Sequence, residues 1–178
     1  MANIKHMIDT NYTIEALEYL LKPECLSERY YPLIQYKDKL IKQSKRLGCK
    51  TKNDISNLSD TQLIDIGLKD QAIIKLLRKF LVMYEPNPQK VKEIEKLNLS
   101  NKERFAYQEL YYLPGVKQIR ASLYYHSGYK SLKDIGNASV KEILEKISLT
   151  ISKNKLSCIV PLSKEVCTHI AVAKAFTK

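Results

Sequence analysis

Six of the twelve tyrosines fall in one stretch, from Tyr107 to Tyr129, and Lys117, Arg120 and Lys130 are interleaved with them. Aromatic rings that alternate with cations can stack exposed nucleic-acid bases, as single-strand-binding proteins do. Tyrosine also packs at helix edges, where it buries its ring and leaves its hydroxyl at the surface. Of these two interpretations, packing is the favoured one.

Cys158, Cys167 and His169 come closest to a metal-binding pattern. They lack the paired, closely spaced ligands that zinc sites usually have, and the chain contains no Cys-x-x-Cys pair. We therefore expect no metal ion, no cofactor and no disulfide framework, with the thiols buried as small apolar groups. The four cysteines are Cys25, Cys49, Cys158 and Cys167.

Patterns that enzymes use are missing from the sequence. The chain has no Walker loop, no dinucleotide-binding glycine pattern and no nucleophile elbow. His6, His126 and His169 have no acid or nucleophile beside them, and His126 is expected on the surface near a helix end. We expect no catalytic residues and a non-enzymatic protein.

The chain has 178 residues, of which 30 are basic and 19 acidic, and the excess is uneven. Residues 1–89 carry a net charge of +3, whereas residues 90–178 carry +8. This favours an anionic partner, nucleic acid before a membrane because no long basic amphipathic helix stands out. Since 25 of the basic residues are Lys, contact with phosphates is favoured over reading of bases, which Arg usually performs. A lysine-rich solvated surface without a nucleic-acid role is an equally weighted alternative.

Helical periodicity runs through most of the chain and predicts an all-α protein. The prolines of Glu85-Pro86-Asn87-Pro88 disfavour helix and predict a boundary between an N-terminal unit, 1–85, and a C-terminal unit, 86–178. No apolar stretch is long enough to cross a bilayer and no secretory signal is evident, so we expect a cytoplasmic protein. The predicted helices cover residues 13–21, 33–47, 73–80, 101–112 with Ser100 as cap, and 163–176 with Ser163 as cap.

The sequence aligns with itself when it is shifted by about 80 residues, which places 48–59 over 128–139 with six identities. Gly48 and Gly128 each predict a left-handed helix end, and a hydroxyl residue then caps each following helix. The pattern predicts two related helical units, and folding accounts for it without a ligand. The predicted caps are Thr51, Ser59, Ser131 and Ser139, and the predicted core anchors are Ile55, Leu63, Ile135 and Ile143.

The segment that precedes the second copy, 113–123, resembles the hairpin of helix-hairpin-helix proteins. That hairpin has the pattern apolar-Pro-Gly-apolar-Gly, followed four residues later by a small residue that lets two helices pack closely. The sequence departs from it at Lys117, which replaces the second glycine. The matching residues are Leu113, Pro114, Gly115, Val116 and Ala121.

The resemblance implies an all-α fold built from two helix-hairpin-helix-like, or SAM-like, units. Both copies are also similar to the C-terminal domain of the bacterial RNA polymerase α subunit, with 66–70 as the hairpin of the first copy. In the family, hairpin amides at a helix start hold a DNA phosphate. The resemblance thereby implies amides from Gly115, Val116 and Lys117, with charge from Lys117 and Arg120. Asp70 places a negative charge in the first hairpin, so we expect that copy to be structural.

These observations predict a non-enzymatic protein that binds the nucleic-acid backbone, most simply DNA, with little sequence preference. The alternative is a protein-interaction or oligomerisation module whose hairpins only pack. The apolar C-terminal helix, which includes residues 166–173, is expected to be buried inside its own domain or, as the second alternative, in a homodimer. The predicted contact residues are Gly115, Val116, Lys117, Arg120 and Lys130.

Overall fold

The computed structural model describes residues 8–85 and 88–177. These residues form an all-α protein, and their one β-type contact is an isolated bridge between Thr13 and Thr51. Two 3-10 helices, Ile14–Ala16 and Glu28–Tyr36, flank the first short α-helix. The α-helices are α1 (Leu17–Leu20), α2 (Lys37–Arg46), α3 (Lys52–Ser56), α4 (Asp60–Ile66), α5 (Gln71–Leu81), α6 (Pro88–Glu95), α7 (Asn101–Leu110), α8 (Gln118–His126), α9 (Leu132–Asn137), α10 (Val140–Asn154) and α11 (Ser163–Thr177).

Five of the six predicted N-terminal caps are confirmed. At α3, Thr51 Oγ1 accepts a hydrogen bond from the backbone N–H of Asp54, whose carboxylate accepts from the N–H groups of Lys50 and Thr51, each at 2.8 Å. Ser131 and Asp134 repeat part of this arrangement at α9. These are contacts between residues three or four apart, so the chain makes them as each helix forms. The other confirmed caps are Ser59, Ser100 and Ser139.

The predicted helix ends at Gly48 and Gly128 are also confirmed, with φ values of +81° and +95°. Behind each glycine, the next N–H reaches back five residues, as from Tyr129 to the carbonyl oxygen of Tyr124 at 2.9 Å. The periodicity of the predicted helix 33–47 also places Leu47 on its apolar face, and this prediction is wrong, because the Leu47 side chain is 50% exposed. It follows the last residue of α2 and takes part in the turn.

Three predicted helices differ in detail. The predicted helix 33–47 begins as the long 3-10 helix that contains Pro32, and α2 starts only at Lys37. The predicted apolar stripe of helix 73–80 includes Ile73, but in α5 Ile74 is buried and Ile73 is only half-buried. Ser163 is the first residue of α11 instead of its cap.

One hydrophobic core includes buried residues from both halves of the chain. The last helix, α11, packs against α9 and α10 and also against α1 near the N-terminus. Gly136 allows α9 and α11 to approach closely, because a Cβ atom there would lie 3.3 Å from the backbone nitrogen of Lys174. The buried residues of α11 are therefore covered by helices from both halves of this chain. The predicted boundary includes Pro86 and Asn87, which lie outside the described residues.

In the parts of the chain that the structure describes, no helix combines the length and the apolar character needed to span a bilayer.

Candidate nucleic-acid interface

The candidate hairpin lies between α7 and α8. The N–H of Val116 donates to the carbonyl oxygen of Leu113 at 3.2 Å, which closes a turn with Pro114 and Gly115 in its centre. Gly115 has a φ of +71°, the left-handed value that the third position of a type II turn requires. Leu113 and Val116 are fully buried on either side, so the core anchors the turn. The N–H of Val116 is therefore already hydrogen-bonded within the turn, whereas Gly115 is exposed.

The start of α8 directly follows this turn. The first backbone hydrogen bond of α8 runs from Ala121 to Lys117, so the N–H groups of Gln118, Ile119 and Arg120 precede it. Lys117 is the N-cap residue, and its side chain accepts no hydrogen bond from these groups because an ammonium is only a donor. Ala121 is fully buried, which lets the two helices of the hairpin approach closely.

The N-terminus of α8 also differs in charge from its neighbours. Apart from α6, whose preceding residue lies outside the described ranges, every other α-helix has a side-chain cap or an acidic residue in its first turn, whereas α8 has neither. The partial positive charge of the helix end is therefore uncompensated. An anion can be held there by backbone amides.

Two lysines add charge beside the turn. Lys117 is exposed and has no ion-pair partner among the described residues. Lys90, on α6, donates from Nζ to the carbonyl oxygen of Tyr111 at 3.1 Å. Burial lowers the pKa of Lys90, Glu93 opposes this, and the positive charge of Lys117 lowers it further. An anion bound between Lys90 and Lys117 would relieve their mutual repulsion.

Arg120 has a different environment from the one that the resemblance implies. Its Nε lies 2.8 Å from Glu165 Oε1 on α11, and its Nη1 donates to the carbonyl oxygen of Ile159 at 3.1 Å. The guanidinium is thus engaged with a carboxylate and a main-chain carbonyl, and it ties α8 to the last helix. The positive charge that remains available at the start of α8 is that of Lys117.

A buried histidine of α11 is hydrogen-bonded to the hairpin turn. His169 on α11 is 1% exposed, and its Nε2 lies 2.9 Å from the carbonyl oxygen of Pro114. A carbonyl oxygen only accepts, so Nε2 carries the proton, and Nδ1 accepts from the Tyr124 hydroxyl at 2.6 Å. Burial lowers the pKa of His169 to about 4, more than the Pro114 hydrogen bond and Glu165 raise it. The neutral ring therefore holds the hairpin against α11.

The tyrosine-rich stretch is mainly part of the core. Tyr107, Tyr111, Tyr124 and Tyr129 are each at most 4% exposed, so these rings pack between helices and do not present a face for bases. Lys130 is exposed at the opposite end of α8 from Lys117, with its Nζ 5.5 Å from the centre of the half-buried Tyr125 ring. At 1.5 Å per residue, the nine residues of α8 span roughly 13 Å, so the two lysines flank opposite ends of this helix.

In the first hairpin, 66–70, a side chain of the protein itself compensates the positive charge at the start of the following helix. Asp70 is the N-cap of α5, and its carboxylate accepts from the N–H of Ala72 at 2.7 Å. A carboxylate therefore already occupies the positive end of this helix. Lys37, which stands 80 residues before Lys117, begins α2 and lies 3.0 Å from Glu18 Oε2.

The candidate metal ligands have separate partners. His169 contacts Tyr124 and Pro114, and Cys167 contacts Cys25. Cys158 borders a shallow cavity of about 370 Å³ between α8 and the segment before α11. In the described part of the chain, no three His, Cys, Asp or Glu side chains come together in an arrangement that could hold a metal ion. Cys25 and Cys49 are buried, whereas Cys158 and Cys167 are only half-buried.

Sequence reasoning did not select Lys90, Glu165 or the contact of His169 with the hairpin. These residues come from α6 and α11, and His169 is 55 positions from Pro114. The spacing of residues along the sequence does not indicate a contact between residues this far apart. His126, predicted near a helix end, is exposed as the last residue of α8.

Comparison with known protein families, with curated proteins and with solved structures finds no match to this chain.

Proposed function

We propose that this protein binds the phosphate backbone of nucleic acid, most simply DNA in the cytoplasm, at the N-terminus of α8. The observation that carries the proposal is the uncompensated positive end of α8, with an exposed lysine, Lys117, as its N-cap. Backbone amides and a lysine at a helix start form a site for phosphate. Phosphate contacts carry little sequence information, so binding is tolerant of sequence.

The proposed site consists of the amides at the start of α8 together with Lys117 and Lys90. Gly115 has open space where a side chain would stand, so a phosphate oxygen can approach the turn. Lys130 extends the cationic surface along α8, at a distance that a second phosphate of the same strand can reach. Arg120 positions the hairpin through Glu165 and does not contact the phosphate.

The finer fold assignment belongs to the same proposal. We infer that the two halves are copies of one helix-hairpin-helix-like unit. The starts of α3 and α9, at residues 52 and 132, and of α4 and α10, at residues 60 and 140, are each 80 residues apart. The same hydroxyl caps precede them. In the first copy, Lys37 is ion-paired and Asp38 supplies a negative charge to the first turn of α2, so only the second copy has an open anion site.

Fluorescence anisotropy with labelled single- and double-stranded oligonucleotides of mixed sequence tests the proposal. Binding should weaken steeply as salt rises from about 25 to about 200 mM, because phosphate contacts release counterions. Lys117→Ala should weaken binding roughly tenfold at low salt, the effect of one charged hydrogen bond. It should also reduce the slope of log affinity against log salt by about 1.

Lys37→Ala is the matched control, because it removes the same charge from the corresponding position of the first half. It should bind as the unchanged protein does, after circular dichroism has verified that it folds. The absence of a complex at low salt refutes the proposal, and so does an equal loss in Lys117→Ala and Lys37→Ala.

A second candidate function is protein interaction, and one observation favours it. Ile119, Ile159 and Leu162 are 69%, 84% and 74% exposed. Ile119 is in the first turn of α8, and the Ile159 carbonyl oxygen is held by Arg120 in the same turn. Exposed aliphatic side chains near one another are typical of protein-binding surfaces. Light scattering that finds a stable oligomer, together with no nucleic-acid affinity, would select this function.

A further inference from the structure

We propose that Cys25 and Cys167 are a modification site, a dithiol pair that a low-molecular-weight disulfide converts to an intramolecular disulfide. Their Sγ atoms lie 2.7 Å apart as free thiols, although 142 positions separate them in sequence. The contact joins the turn after α1 to the second turn of α11. It shares no residue with the proposed nucleic-acid site.

The surrounding structure holds both cysteines in place. The Thr168 hydroxyl, next to Cys167, donates to the carbonyl oxygen of Cys25 at 2.6 Å. The N–H of Cys25 donates to the carbonyl oxygen of Lys22 at 3.1 Å, which fixes the turn on the other side. A bond of about 2.05 Å therefore needs the two sulfur atoms to approach by only roughly 0.7 Å.

The two thiols differ in access, and this difference orders the reaction. Cys25 is 7% exposed, and burial followed by its contact with Cys167 raises the pKa of its thiol to about 12. Cys167 is half-buried, so an external reagent meets it first. The Cys167 thiolate attacks one sulfur of the oxidant RSSR and forms a mixed disulfide, with the release of RS⁻, which takes up the proton that Cys167 lost.

The second step closes the bridge. The Cys25 sulfur gives up its proton and attacks the Cys167 sulfur, which breaks the mixed disulfide and releases a second RSH. In total, two Cys–SH and one RSSR become one Cys–S–S–Cys and two RSH, so two electrons and two protons pass to the oxidant. Cys49 and Cys158 contact neither sulfur among the contacts of the described residues, and they have no role in these steps.

The expected consequence is a more stable protein. The bridge closes a loop of more than a hundred residues, and a constraint on so long a loop removes much of the entropy of the unfolded chain. For a chain of this size, the thermal midpoint should rise by roughly 10 °C. The bridge would also fix α11, the helix that supports the hairpin through His169.

Oxidised glutathione added to the reduced, folded protein provides the test. The intact mass should fall by about 2 Da, the mass of two hydrogen atoms, and a dithiol reductant should restore it. A tryptic map without reduction should then join peptide 6–29 to peptide 165–174. Cys49→Ser/Cys158→Ser is the matched variant, and it should form the same bridge with the same shift in thermal midpoint.

Cys25→Ser should stop at a glutathione adduct on Cys167, because the closing thiol is gone. Three results overturn the proposal in the unchanged protein: no reaction after a day, a stable glutathione adduct in place of the bridge, or a bridge that contains Cys49 or Cys158. The unchanged protein supplies these results even if a variant fails to fold.

Discussion

The buried imidazole of His169 makes the stability of this protein depend on pH between about 7 and 4. In the folded protein, burial holds the pKa of His169 at about 4, against 6.5 for an exposed histidine. As the pH falls through 6.5, the unfolded chain takes up a proton that the folded protein does not. Stability is therefore complete above pH 6.5 and is lost progressively towards pH 4.

The magnitude follows from the two pKa values. A difference of one pKa unit corresponds to about 1.4 kcal/mol, so the whole shift amounts to about 3 kcal/mol. Between pH 7 and pH 5, the linkage relation assigns about 2 kcal/mol of lost stability to this one group. Little of it is screened by solvent, because the ring is 1% exposed. The charged neighbours that act on the ring are Glu165, which favours protonation, and Arg120 and Lys90, which oppose it.

Urea unfolding followed by circular dichroism at pH 7, 6 and 5 measures this loss. His169→Gln keeps a donor and an acceptor near Pro114 and Tyr124 but does not titrate, so its stability should change by about 2 kcal/mol less over this range. His126→Gln, which alters an exposed histidine, is the control. Carboxylates such as Asp54, whose pKa is lowered by hydrogen bonds from Lys50 and Thr51, act mainly below pH 5. Equal pH dependence in His169→Gln and the unchanged protein would refute the reasoning.

Two further predictions concern local geometry. Gly115→Ala should cost about 1 kcal/mol in unfolding free energy, because the φ of Gly115 is +71°, although the space around it is open. Gly115→Asn should cost less, because asparagine tolerates this conformation. Equal losses in urea unfolding would show that backbone strain is not the cause. Ser59→Ala should cost about 1 kcal/mol through the loss of the α4 cap, whereas Ser59→Thr should keep most of it; an Ala variant as stable as the Thr variant in thermal unfolding would contradict this.

The all-α class and much of the local structure could be predicted from the sequence. Capping joins residues three or four apart, so Thr51 and Ser131 reveal the starts of α3 and α9 wherever those helices pack. The helix ends at Gly48 and Gly128 likewise depend on hydrogen bonds between residues that are close in sequence. The turn around Gly115 belongs to this class too, since proline fixes φ at the second position and glycine permits the positive φ of the third, whatever surrounds them.

Tertiary structure decides which side chains the helices bury and which charged groups remain unpaired. Leu47 has the apolar character of a core residue, yet no neighbouring helix covers it. Arg120 and Lys117 are equally cationic in the sequence. In the folded protein, Glu165 of α11 pairs with Arg120, whereas Lys117 stays exposed. The contacts of His169 with Pro114 and of Cys25 with Cys167 likewise join distant parts of the chain. Spacing along a sequence determines contacts within a turn of helix, whereas contacts between helices depend on how all of their faces share one core.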